Sequence, residues 1–218
     1  MLDGDVIHLA AGSYLRTTQL TISKYITIMG GYPVSPTGTD IVTRDVVSNQ
    51  AIFSPDPATS PNNTKAFSIN ATTVAGPYTI IVDGIYIEGF NTAAAGSGGA
   101  LSITGALSDI TFKNVSFLNN IANAGNGGVL YMNNTTETFN ITFDGCTFTN
   151  NQASIGTSIG YGGVFFINSN GATSPKTFTI KNCLFKGNTA GLRGGVAVFS
   201  NYNTVNITDC EFDSNQAL

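Results

Sequence analysis

The sequence predicts an all-β protein, a right-handed single-stranded parallel β-helix of about five to seven coils. Two motifs recur in a fixed order through the second half of the chain, an F-x-x-N motif and a Gly-Gly pair followed by mostly apolar residues. Upstream of each F-x-x-N motif, apolar and polar residues alternate with the period of two that is typical of half-buried strands. One column of the repeat holds only Gly, Asn or Asp, which tolerate a left-handed backbone bend. Helical spacing is absent, so stacked strands are the predicted architecture.

The F-x-x-N motif marks the same corner of every predicted coil. Its four copies are Phe117–Asn120, Phe148–Asn151, Phe185–Asn188 and Phe212–Asn215. We expect the side chains of Asn120, Asn151, Asn188 and Asn215 to point inward and to form a ladder, because stacked amides satisfy one another from coil to coil.

Two glycine-containing columns predict the turns of the coil. The left-handed bend is expected between two strands, at Gly84, Asn114, Gly145, Asn182 and Asp209. The Gly-Gly pairs, predicted as tight turns before a strand, are Gly98-Gly99, Gly127-Gly128, Gly162-Gly163 and Gly194-Gly195. Each coil is therefore expected to run strand, bend, strand, loop, Gly-Gly, strand.

We predict a single β-helix domain over residues 1–218. Residues 1–32 form its opening coil, with strands at 6–9, 20–22 and 25–29. Residues 33–78 form an irregular coil with a long loop that is broken by a strand near 51–53, and residues 79–218 hold the regular repeats. The last repeat stops before its Gly-Gly strand, so we expect the chain to be cut from a longer protein. Its unpaired edge is expected either to favour end-to-end association or to be covered by a terminal segment.

Composition excludes several classes of protein. With 9 Lys and Arg against 13 Asp and Glu, the net charge is −4, which leaves no basic patch for nucleic acid. The sequence contains no run of 18 or more apolar residues, so no transmembrane helix is predicted. At 42% hydrophobic residues, the chain is too apolar to be disordered.

Three cysteines occupy a column that otherwise holds Ile and Val. Cys146, Cys183 and Cys210 are expected to stand in a line and to face the same way, which does not suit a metal site. A buried stack of thiols, a disulfide between neighbours and a metal site remain the three alternatives. A separate column of alternating charge, predicted on the outside of the coil, contains Asp83, Lys113, Asp144 and Lys181.

One outer face is predicted to be unusually apolar. If the strands after the Gly-Gly pairs alternate strictly, their outward residues are Val129, Tyr131, Val164, Phe166, Val196 and Val198. Two interpretations stay open: loops cover this row as a minor core, or the row is the contact surface for a partner or for the apolar face of a sugar.

The repeated pair of motifs resembles the polymorphic outer-membrane protein repeats of bacterial surface adhesins. The matching positions are Phe117/Asn120, Phe148/Asn151, Phe185/Asn188, Phe212/Asn215 and the four Gly-Gly pairs, over roughly residues 80–218. The resemblance implies a β-helical module exposed at a bacterial surface. It implies no catalytic residues, because the motifs are turn and core positions.

The fold does not decide the function, because parallel β-helices also serve as polysaccharide lyases and hydrolases. Such enzymes need paired carboxylates or a calcium site, and the outward residues of the Gly-Gly strands include no carboxylate. We therefore predict a secreted or cell-surface module for adhesion or ligand binding, with no catalytic residue, metal or cofactor. Its expected partners are a host-cell or surface protein or a polysaccharide. A polysaccharide-active enzyme, a Ca²⁺ site and a structural spacer remain the alternatives.

Overall fold

The computed structural model describes residues 2–34, 43–58, 64–72, 79–92, 96–106, 109–133, 139–155, 160–168, 177–201 and 204–218. All regular structure in these ranges is β-strand, and every strand pair is parallel. The strands form four sheets, each built from strands that are far apart in the sequence.

The first two sheets meet at the predicted bend. The first sheet contains β1 (Val6–Ala10), β4 (Thr27–Tyr32), β7 (Ile80–Asp83), β10 (Ile110–Lys113), β14 (Ile141–Asp144), β18 (Thr177–Lys181) and β22 (Thr204–Thr208). The second sheet contains β2 (Gly12–Arg16), β5 (Ala51–Pro55), β8 (Ile85–Glu88), β11 (Ser116–Leu118), β15 (Thr147–Thr149), β19 (Leu184–Lys186) and β23 (Glu211–Asp213).

The other two sheets follow the second along the chain, and each has fewer strands. The third sheet contains the two-residue strands β12 (Ile121–Ala122), β16 (Gln152–Ala153), β20 (Thr189–Ala190) and β24 (Gln216–Ala217). The fourth sheet contains β3 (Leu20–Ile22), β6 (Phe67–Ala71), β9 (Leu101–Ala106), β13 (Leu130–Asn133), β17 (Phe165–Asn168) and β21 (Ala197–Ser200).

The chain passes seven times from the first sheet to the second; the last four of these passes include the third sheet, and the first six continue to the fourth. The described strands therefore form a parallel β-helix of seven coils. Ile80, Ile110, Ile141, Phe178 and Val205 pair in register, so successive coils take 30, 31, 37 and 27 residues. The predicted fold class is confirmed. The spread in coil length lies in the loops, because the strand register repeats without a shift in this part of the stack.

Left-handed residues form the corners. The predicted bend column has φ of 67° at Gly84, 49° at Asn114, 65° at Gly145, 55° at Asn182 and 52° at Asp209. A second left-handed column precedes the ladder asparagines, and the sequence did not predict it. Its members are Gly89, Asn119, Asn150, Gly187 and Ser214.

Stacked phenylalanines fill the interior behind the second sheet. Phe148 is fully buried, and its ring lies 5.0 Å from that of Phe117 and 4.6 Å from that of Phe185, with planes within 4° of parallel. Its edge meets the rings of Phe143 and Phe165 at 5.5 and 5.0 Å. Burial of each such side chain contributes about 1.5–3 kcal/mol.

The ladder asparagines stack along the axis at the next corner, where Asn120, Asn151 and Asn188 are fully buried and Asn215 is half-buried. The Oδ1 of Asn151 accepts from the backbone N and the Nδ2 of Asn120, both at 3.0 Å. Its Nδ2 donates to the carbonyl of Phe117 and to Oδ1 of Asn188, again at 3.0 Å. Each amide thus joins the coils before and after its own, which offsets the cost of burying it.

The first coils differ from prediction in two ways. The strand Gly12–Arg16 was not predicted, because only Tyr14 and Arg16 in it are partly buried and the alternation is weak. Asp83 was predicted on the outside, but only 6% of its surface is exposed. A segment at 43–50 covers it, and Nη1 of Arg44 lies 2.8 Å from its Oδ2. Further along the same column, Nζ of Lys181 lies 3.2 Å from Oδ2 of Asp144 and forms an ion pair with it.

Candidate functional site

The outer face of the fourth sheet carries a short stack of apolar side chains. Tyr131, Phe166 and Val198 are paired neighbours on three successive strands. The rings of Tyr131 and Phe166 are 5.5 Å apart with 11° between their planes, and both residues are half-buried. Part of each residue therefore remains in contact with solvent, and neither is sealed into a minor core.

The prediction that Val129 and Val164 face outward is wrong, since both are fully buried. The backbone amides of Val129 and Leu130 both donate to the carbonyl of Val164, at 3.0 Å each. The chain bends at this point, so two consecutive side chains enter the core and alternation begins one residue later. Val196 belongs to the same column, and it is half-buried and packs against the core.

A second row lies beside these rings, at the residue before each Gly-Gly pair. Its described members are Ser97, Asn126, Tyr161 and Arg193. The amide of Asn126 donates to Oγ of Ser97 at 3.0 Å, and the amide of Tyr161 donates to Oδ1 of Asn126 at 2.9 Å. Hydrogen bonds between coils therefore run along this corner and hold its backbone in place.

Tyr161 extends the apolar surface around the corner. Its ring centroid is 6.3 Å from that of Phe166. The glycine column between the two rows keeps this corner compact: a Cβ at Gly162 would clash with the carbonyl oxygen of Phe165 and lie 3.2 Å from the backbone nitrogen of Phe166. We call Tyr131, Tyr161 and Phe166 the aromatic strip. Sequence reasoning missed Tyr161 because the loop before it varies in length, although its place directly before a Gly-Gly pair was visible.

Polar groups surround the aromatic strip. Arg193 is exposed and pairs with Tyr161 through an isolated bridge. On the other side, Asn168 lies two residues after Phe166 on the same strand, and its Oδ1 accepts from Nδ2 of Asn201 at 3.2 Å. The strip therefore combines partly exposed aromatic rings with nearby hydrogen-bonding side chains.

Several carboxylates in the described ranges are engaged in structural contacts. Nδ2 of Asn182 donates to Asp144 at 3.0 Å and, together with Lys181, holds the pKa of that carboxyl below its usual value. Asp213 lies 3.0 Å from Nζ of Lys186. Within the described ranges, no three His, Cys, Asp or Glu residues are grouped so that they could hold a metal ion. His8 lies on the first sheet, against the ring of Tyr32.

The cysteine column lies at the bend between the first two sheets. All three thiols are free, with Cys146 and Cys183 buried and Cys210 half-buried. Each Sγ is within 3.7 Å of a backbone carbonyl, and burial raises the pKa of Cys146 well above its usual value. Of the three alternatives, the structure has the stack of thiols.

None of the described segments forms a helix of the length and apolarity needed to span a membrane. Comparison with known proteins found no family model, no curated protein and no solved structure that matches this chain.

Proposed function

We propose that this chain is a non-catalytic binding module of a secreted or bacterial cell-surface protein, and that it holds a glycan on the aromatic strip. The observation that carries the proposal is the stacked, half-exposed pair of Tyr131 and Phe166 on the outside of a rigid sheet. Exposed contiguous apolar surface on a soluble protein often marks an interaction site.

The chemistry of the strip suits a sugar. The C–H face of a pyranose packs on an aromatic ring, and its hydroxyls need hydrogen-bonding partners at the edge. Tyr131 and Phe166 supply partly exposed aromatic rings, while Asn168 and Arg193 lie at the edges. Because β13 and β17 are paired on both sides, the backbone beneath the rings is already ordered before a ligand arrives, which lowers the entropic cost of binding.

Binding is favoured over the two alternatives for different reasons. A hydrolase needs two carboxylates that flank the glycosidic bond, whereas Asp144 and Asp213 are both tied to lysines. A spacer gains nothing from solvent-exposed stacked rings. The resemblance to bacterial adhesin repeats points in the same direction.

A glycan array tests the proposal. We expect the wild-type chain to bind a subset of glycans, and a Tyr131→Ala, Phe166→Ala double variant to bind them at least about tenfold more weakly, since loss of a stacking face costs more than about 1.4 kcal/mol. Tyr86→Ala is the matched control, because Tyr86 is also a half-buried outward tyrosine but lies on the second sheet. The proposal fails if the wild type binds no glycan, or if the control loses as much affinity as the double variant.

A further inference from the structure

A polar groove lies at the corner of the first three coils that leads into the fourth sheet, and its volume is about 320 Å³. It is lined by Thr17, Thr18, Gln19, Thr64, Lys65, Thr92 and Gly96. The segments come from three successive coils and immediately precede or approach β3, β6 and β9. The groove therefore faces the same corner as the row that contains Tyr161.

Lys65 occupies a position that is a glycine in the next coil. Phe67 pairs with Leu101, so counting back along both strands places Lys65 opposite Gly99. A Cβ at Gly99 would clash with the carbonyl oxygen of Gly128. No side chain fits that position in the third coil, whereas in the second coil a lysine is accommodated beside the groove.

The ammonium group of Lys65 is in an unusual electrostatic setting. The residue is half-buried, burial lowers its pKa, and it takes part in no ion pair among the described residues. A second cation stands close by, since Nε of Arg16 donates to the carbonyl of Thr18 at 3.3 Å. Asp56, which follows the neighbouring strand, accepts from the amide of Ala58 at 2.9 Å.

These features of the groove favour the binding of an anion. A partly desolvated ammonium without a counter-ion is costly, and a carboxylate or sulfate oxygen offsets that cost through short charge-assisted hydrogen bonds. The groove offers further donors of the right kind: the exposed hydroxyls of Thr17 and Thr18 and the amide of Gln19.

We propose that this groove, the Lys65 groove, binds an anionic group of a glycan, either the carboxylate of a uronic acid or a sulfate ester. The inference rests on the proposed function, because it names the class of glycan that the aromatic strip holds. Lys65 lies in the second coil and Tyr131 in the fourth, which places them about 10 Å apart along the axis. Ser97, next to Gly96 of the groove, is hydrogen-bonded to Asn126, so the groove and the strip share one continuous corner. An acidic chain that runs along the axis would reach both.

Isothermal titration with matched acidic and neutral glycans tests the inference. One pair is oligogalacturonate and its methyl ester, and the other is dextran sulfate and dextran. We expect the acidic member of one pair to bind about tenfold more tightly than its neutral counterpart, as one charge-assisted hydrogen bond allows. The pair that shows this preference identifies the anion as carboxylate or sulfate.

Substitutions then test whether Lys65 causes the preference for the acidic glycan. Lys65→Met should abolish this preference without weakening the binding of the neutral glycan, and Lys65→Arg should keep the preference. Lys113→Met is the control, because it removes the same charge from an exposed site on the first sheet. Circular dichroism spectra are compared with that of the wild type to check that each variant is folded.

The possible failures are distinct. Equal binding of acidic and neutral glycans by the wild type, or a preference that survives in Lys65→Met, would overturn the inference and leave the aromatic strip as a neutral-glycan site. Loss of the preference in Lys113→Met would also overturn it, because a general charge effect would then be the cause. Absence of binding to all four glycans would refute the inference and count against the proposed function as well.

Discussion

Replacing Asn151 with alanine removes the middle of the asparagine ladder and four hydrogen bonds with it. The backbone N–H of Asn120 loses its acceptor and the backbone carbonyl of Phe117 loses a donor, and both residues are buried in the core. Each buried group left without a partner costs about 1–3 kcal/mol, so the variant should lose about 2–6 kcal/mol of folding free energy. That loss is a large share of the stability of an ordinary domain.

Asn215→Ala is the matched control. Asn215 accepts from the backbone N and Nδ2 of Asn188 at 3.0 and 2.8 Å and donates to the carbonyl of Phe185 at 2.9 Å, so it makes three of the four corresponding bonds in the seventh coil. It is only half-buried, and water can take its place, which limits the expected cost to about 0.5–1.5 kcal/mol.

Urea unfolding followed by circular dichroism measures both free energies, and hydrogen exchange adds a local readout. The amide of Asn120 should exchange at least about tenfold faster in the Asn151 variant, because it has lost its acceptor. Equal destabilisation by the two substitutions, or an unchanged exchange rate at Asn120, would refute the reasoning that the buried ladder carries this energy.

Three further outcomes are expected. Phe148→Ala should cost about 3–5 kcal/mol as a large-to-small change in the core, whereas outward Thr142→Ala should cost less than about 1 kcal/mol; equal shifts in the urea midpoint would contradict the assigned faces. The folded pKa of Asp144 is lowered, so the Asp144 carboxylate stabilises the fold above its unfolded pKa, and this stabilisation is lost as the pH falls through the folded pKa. The melting temperature of the Asp144→Asn variant should therefore fall less in acid than that of the wild type. An acid profile identical to that of the wild type would contradict this role of Asp144. A thiol reagent should modify Cys210 before Cys146, which is fully buried and has a raised pKa; peptide mapping that finds the reverse order would show that the bend is more open than described.

Features that repeat from coil to coil could be predicted from the sequence. The bend column and the inward faces recur at equivalent positions, so each copy reinforces the others. The burial of Asp83 was missed because its partner, Arg44, is 39 residues away in a segment with no counterpart in other coils. Val129 and Val164 were misplaced because the bend after Gly-Gly is set by backbone hydrogen bonds, which leave no mark on a polar–apolar pattern.

The same reasoning separates the two halves of the candidate site. Tyr131 and Phe166 were predicted, because strand alternation places them outward whatever the loops do. Tyr161 and Lys65 were not, because each follows a segment whose length changes between coils. These two residues belong to the candidate sites because of their spatial neighbours. The ring of Tyr161 lies 6.3 Å from that of Phe166, and Lys65 lines a polar groove.

The hydrogen bonds between paired strands run along the axis of the helix and join each coil only to its neighbours. A pulling force along that axis would therefore load the bonds of one coil at a time and peel the coils off singly, instead of shearing several strands together. Releasing the coil from Ile110 to Asn140 frees 31 residues, or about 100 Å of extended chain. Held at both ends and stretched, such a molecule would lengthen in steps and dissipate energy at each one.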